Sequence, residues 1–143
     1  MQFEISNNVP GNTYQWLNSE TNISGATSSA FSAVSSGSYS VIVTNSNNCS
    51  ATSNQLTVTV NQLPVAIITP QGTTIFCNGA SVILTTNNQP LSTDFQWQNS
   101  GANIAGATLS AFSAISSGNN TVIVTNDNNC SATSLATTVT VNS

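Results

Sequence analysis

The chain repeats itself at an offset of 81 residues, with Gln15-Trp16 recurring as Gln96-Trp97 and Ser29-Ala30-Phe31-Ser32-Ala33 as Ser110-Ala111-Phe112-Ser113-Ala114. Thr44 to Ser53 matches Thr125 to Ser134 with a single exchange, Ser46 for Asp127. From Tyr14 to Gln62 about two residues in three are identical. A period of this size is too long for a solenoid rung or a propeller blade, yet long enough for a small unit to enclose its own core. The expected organisation is two such units in series, residues 1–62 and residues 63–143. Near-identical units in series supply length or multivalency rather than a single reaction.

Each period reads as strands. Ser40-Val41-Ile42-Val43-Thr44 and Thr121-Val122-Ile123-Val124-Thr125 are β-branched runs, while Leu56 to Val60 and Thr138 to Val141 alternate with period two. No helical pattern is present. Turn signals at Ser36-Gly37, Ser117-Gly118, Asn47-Asn48, Asn128-Asn129 and Asn78-Gly79 separate the runs at spacings typical of an antiparallel sandwich. The second period predicts seven strands: 66–69, 74–76, 81–86, 94–98, 110–115, 121–126 and 131–141. The fold class is all-β, two tandem antiparallel sandwiches. Under the offset Met1 matches Val82, so the first unit has no counterpart of residues 63–81 within these 143 residues. A strand-sized gap is expected beside the strand holding Phe3 and Ile5.

Composition excludes partners. With no Lys, Arg or His and a net charge of −4, the chain has no cation for a phosphate backbone or an anionic membrane, which argues against nucleic acid and membrane insertion. Asn, Gln, Ser and Thr make up about half of it, a bias that elsewhere accompanies disorder. Here 38% apolar content arranged in alternating runs, with nine aromatics, is enough for packed cores.

Catalytic groups are missing as well. General acid–base work near neutral pH calls for His or a tuned Lys, and a Cys nucleophile here would lack its base. Asp94 and Asp127 carry no glycosidase pattern, and Asp127-Asn128-Asn129 reads as a hairpin turn rather than a calcium loop. Neither enzyme activity, a cofactor nor a metal is expected. Trp16 and Trp97 stand at one repeat position inside alternating strands, which marks them as core anchors rather than sugar platforms.

Several of these residues carry a resemblance. Tyr14-Gln15-Trp16 and Phe95-Gln96-Trp97 match the third-strand Trp of an immunoglobulin-type sandwich, and Ser36-Gly37-Ser38-Tyr39 matches the Gly-x-Tyr turn before the sixth strand. Together with Ile75 to Leu84 and Asn129-Cys130-Ser131-Ala132-Thr133-Ser134, they make the chain resemble the immunoglobulin-like repeats of large surface and secreted proteins of Bacteroidota. Tyr39, the corner tyrosine, has Asn120 as its counterpart, a departure from that pattern. The resemblance implies tandem arrays in adhesins, fibres and type IX secretion cargo, hence an extracellular or cell-surface location.

An extracellular setting favours disulfides, but Cys49, Cys77 and Cys130 cannot all pair within one chain. Cys77 with Cys130 is one candidate. An ordinary sandwich topology would instead hold them at opposite ends, leaving bridges to an adjoining domain or chain, or free thiols. The function expected is a non-catalytic structural or adhesive module of an extracellular tandem-repeat protein or fibre. A carbohydrate-binding module on a secreted protein is the competing reading. Expected partners are neighbouring immunoglobulin-like domains, copies of the same chain in a fibre, a neutral polysaccharide or a cell surface.

Overall fold

The computed structural model describes all residues from Met1 to Ser143, and every regular element in it is a strand. The chain divides into two compact units, Met1–Val60 and Asn61–Ser143. Unit 1 contains β1 (Gln2–Glu4), β2 (Thr13–Asn18), β3 (Thr21–Asn22), β4 (Ala30–Ser32), β5 (Gly37–Thr44), β6 (Ser50–Thr52) and β7 (Leu56–Val58). Unit 2 contains β8 (Ile68–Pro70), β9 (Ile75–Cys77), β10 (Val82–Thr86), β11 (Asp94–Asn99), β12 (Ala102–Asn103), β13 (Ala111–Ala114), β14 (Gly118–Thr125), β15 (Ser131–Thr133) and β16 (Thr137–Asn142).

Unit 2 pairs these strands into a β13-β10-β8 sheet and a β12-β11-β14-β16-β9 sheet, with β15 also on β14. Its opening segment is shared between sheets: β8 lies antiparallel on β10, and β9 lies parallel on β16. This is the immunoglobulin-like β-sandwich. Val82, Leu84 and Ala114 from one sheet meet Trp97, Val122, Val124 and Val139 from the other in a single core. Alternation accounts for that choice, because Asn120, Val122 and Val124 are every second residue of β14 and all three are buried. Unit 1 keeps the β3-β2-β5-β6 sheet with β7 on β5, but its second sheet is only β1 with β4.

Two strand boundaries differ from the sequence reading, each for a side-chain reason. The sixth strand of each unit begins at Gly37 or Gly118, so the Gly-x-Tyr run lies inside the strand rather than before it. The glycine is required there, since a Cβ at either position would run into the side-chain amide of Asn18 or Asn99. The last strand is broken in two. Ser53 and Ser134 accept the amides of Val41 and Val122 on their hydroxyls, each at 3.0 Å, and donate those hydroxyls to the next residue's carbonyl. A side chain replaces a rung of the ladder, and the strand bends there.

The β2–β3 and β11–β12 hairpins turn on two residues with positive φ: Ser19 at 48° and Glu20 at 65°, Ser100 at 50° and Gly101 at 83°. Such turns favour glycine, and Glu20 occupies in unit 1 the place that Gly101 fills in unit 2. Glu20→Gly is therefore expected to stabilise unit 1 by about 1 kcal/mol. Urea denaturation monitored on unit 1 checks this, and an unchanged or lowered midpoint would show that the turn carries no strain.

Candidate functional site

Trp16 and Trp97 lie in the two cores, 5% and 0% exposed. Their indole N–H groups donate to the carbonyls of Ser28 at 2.9 Å and Leu109 at 2.8 Å, the same partner under the repeat. The preceding glutamine secures the position. Gln15 Nε2 donates to the carbonyls of Trp16 and Ile23, and Gln96 Nε2 to those of Trp97 and Ile104. Phe31 and Phe112 stack on the indoles with ring centroids 5.7 and 5.6 Å away. All nine aromatic side chains are buried or half-buried, so neither unit presents a planar row to a sugar. Trp97→Ala should cost about 3–5 kcal/mol in unit 2, measured by thermal or chemical denaturation. A loss below about 1 kcal/mol would place the ring outside the core.

Tyr39 is 3% exposed, its ring 5.7 Å from Phe3 and from Phe31, and its hydroxyl donates to the Ser35 carbonyl at 2.8 Å. Asn120 takes that place in unit 2. Its Nδ2 donates to the Gly118 carbonyl at 3.4 Å, while its Oδ1 is buried with no partner. An orphaned buried carbonyl costs more than an apolar atom of the same shape. Asn120→Leu is expected to raise unit 2 stability by about 1 kcal/mol, read from its unfolding midpoint; a fall would mean that the amide is worth keeping.

The cysteines correct one candidate pairing. All three thiols are free, and Cys77 and Cys130 lie at opposite poles of unit 2. Cys130 adjoins the Thr125 end of β14, where Thr125 faces Ser131, whereas Cys77 faces Asn142 beyond the Gly118 end. At about 3.3 Å per residue the two are on the order of 30 Å apart, and a disulfide needs Cα atoms within about 7 Å. Sandwich topology keeps them apart. Under oxidation, peptide mapping should find no Cys77–Cys130 link; its recovery from monomeric protein would contradict this topology.

The acids and thiols nowhere form a group of three. Asp127 lies in a turn that is satisfied internally: Asn126 Oδ1 accepts the amides of Asn128 and Cys130, and Asn45 does the same for Asn47 and Cys49. Repetition of Asn45 and Asn126 thus reflects turn closure.

What distinguishes unit 1 is an open flank. A cleft of about 260 Å³ enters between β1 and the β6–β7 connection, walled by Phe3, Trp16, Tyr39, Val41, Ser53 and Leu56. The core below is less sealed than its counterpart: Phe3 and Val58 are each 8% exposed, against 0% for Leu84 and 1% for Val139. The sequence places a gap beside Phe3 and Ile5 but does not reveal that Leu56 forms the far wall. The signal was present in the same offset, because the counterpart of β9, which would cover the β7 side, is absent along with that of β8.

No protein-family model and no curated protein matches the sequence. Among solved structures the chain is similar to murine CEACAM1b, with 14% identity over 95% of this chain and 89% of that one and a TM-score of 0.49. It is also similar to the three N-terminal domains of the bacteriophage RB49 Highly Immunogenic Outer Capsid protein, at 18% identity and a TM-score of 0.44. That match covers 92% of this chain and 48% of that one, so the chain spans about half its length. The fibronectin(III)-like modules of Clostridium thermocellum CbhA match at 14% identity over 96% and 82%, with a TM-score of 0.43.

Proposed function

We propose that the chain is a non-catalytic structural or adhesive module of an extracellular tandem-repeat protein, one that supplies length and surface rather than chemistry. The observation that supports this most is the repeated internal network. Gln15, Trp16, Asn45 and Ser53 recur at 96, 97, 126 and 134 with the same hydrogen bonds, and each of those bonds serves the unit's own backbone. What the two units share is therefore architecture. A catalytic site would leave repeated polar side chains unspent and converging on a cleft.

The setting proposed is the cell surface or a secreted fibre, as the resemblance to Bacteroidota repeats implies, with neighbouring repeats as the principal partners. The surface is neutral and rich in amides and hydroxyls, which suits it to standing in solvent without recruiting charged ligands. Antibodies raised against the chain are expected to label intact source cells or their secreted material. Affinity electrophoresis through neutral polysaccharide gels is expected to show unretarded migration. Labelling only after lysis, or clear retardation in one gel, would reject the reading in favour of an internal or carbohydrate-binding role.

A further inference from the structure

The cleft on the flank of unit 1 has a filled counterpart in the same chain, and what fills it is a strand. In unit 2, β8 runs antiparallel to β10 with Pro70 opposite Leu84, Thr69 opposite Thr85 and Ile68 opposite Thr86. Ala66 and Ile68 turn inward and pack on the core, while Ile67 and Thr69 face solvent. On their other side they adjoin Leu135 and Thr137. The repeat offset places Phe3, Glu4 and Ile5 where Leu84, Thr85 and Thr86 stand, and Asn54 and Leu56 where Leu135 and Thr137 stand. The cleft in unit 1 thus has the walls that hold β8 in unit 2, without a strand between them.

The backbone of β1 is set for the same partner. The Ile5 amide donates to the Ser29 carbonyl at 3.0 Å and the Ala33 amide to the Met1 carbonyl at 2.8 Å. Ladder alternation then turns the amides and carbonyls of Gln2 and Glu4 toward the open edge. In unit 2 that edge is occupied: the Gln71 amide donates at 2.8 Å to the carbonyl of Ile83, the counterpart of Gln2. A free ladder edge above an apolar cleft is a template for strand addition.

We infer that unit 1 is a strand acceptor whose cleft takes an extended peptide segment antiparallel to β1, with a small and then a large apolar side chain at alternate positions, as in Ala66 and Ile68. The Glu4 carboxylate at the rim selects against acidic donors. A second copy could donate its own Val65–Pro70 only by stripping that strand from its unit 2, so the donor is a segment not already docked. This names a partner for the structural reading above and rests on it for biological setting, not for the cleft itself.

The test is titration of the full chain with the peptide Leu63-Pro64-Val65-Ala66-Ile67-Ile68-Thr69-Pro70-Gln71-Gly72, followed by amide chemical shifts. Saturable shifts are expected at Phe3, Glu4 and Leu56, with none at Leu84 or Val139. Ile68→Asp in the peptide should weaken binding at least about tenfold by placing a charge in an apolar cleft. Leu56→Asp in the chain should do the same, and because Leu56 is 51% exposed the variant keeps its fold, verified by its unperturbed unit 2 spectrum. No saturable shift up to millimolar peptide, or equal binding of a scrambled peptide, would overturn the inference. So would a peptide-independent dimer with the cleft occupied, which would make a second copy the occupant. Polysaccharide binding bears on the proposed function and leaves this result untouched.

Discussion

The structure depends on one strand pair in each unit, in which a tryptophan faces a valine: Trp16 opposite Val41 and Trp97 opposite Val122. An indole contributes the largest apolar area a side chain can bury, but its N–H must keep a partner once water is gone. A carbonyl twelve residues further on supplies it, which ties the segment leading to β4 or β13 down over the core. The glutamine before each tryptophan then bonds the same segment from its outer side. These constraints explain why the Gln-Trp pair and its partners are retained between units while solvent-facing neighbours, such as Ser38 and Asn119, differ.

Around this shared frame the two units complete their cores differently. Unit 2 brings β8 and β9 over the flank, and Ala66, Ile68 and Phe76 pack half-buried on its core. Three such contacts contribute on the order of 3 kcal/mol. Unit 1 has no such cover and invests in aromatic volume. Phe3, Trp16, Phe31 and Tyr39 form a connected set of stacked and tilted rings, where unit 2 has only the Trp97–Phe112 stack. Aromatic pairs add to the area term, so Tyr39 in place of Asn120 offsets part of what the missing strands would supply. Nothing in the structure explains why unit 2 keeps an orphaned amide oxygen at Asn120.

The fold was legible because alternation and turn chemistry agree along the whole chain. Val122 and Val124 face inward in β14 as period two requires, and the absence of helical periodicity corresponds to an absence of helix. Details set by side-chain-to-backbone bonds were not legible. Ser134 reads as one more β-compatible polar residue until its hydroxyl is seen to take a ladder amide and break the strand. Gly118 reads as a turn residue until Asn99 is found pressed against it. The repeat carried the candidate site only in part: it located the missing strand beside Phe3, whereas the far wall at Leu56 depends on how β7 folds back along β5. The disulfide candidate failed for a related reason, since sequence separation says nothing about which pole a residue occupies.

The central claim is that the two units share one frame and differ in closure, unit 1 being open along β1 and β7. Native-state amide hydrogen exchange tests this most directly, because one chain contains both the open unit and its closed reference. The account predicts that the strand holding Phe3 and the β7 segment exchange at least about tenfold faster than the equivalent β10 and β16 segments, with β2 and β5 the best protected part of unit 1. Equal protection of equivalent segments in the two units would contradict it.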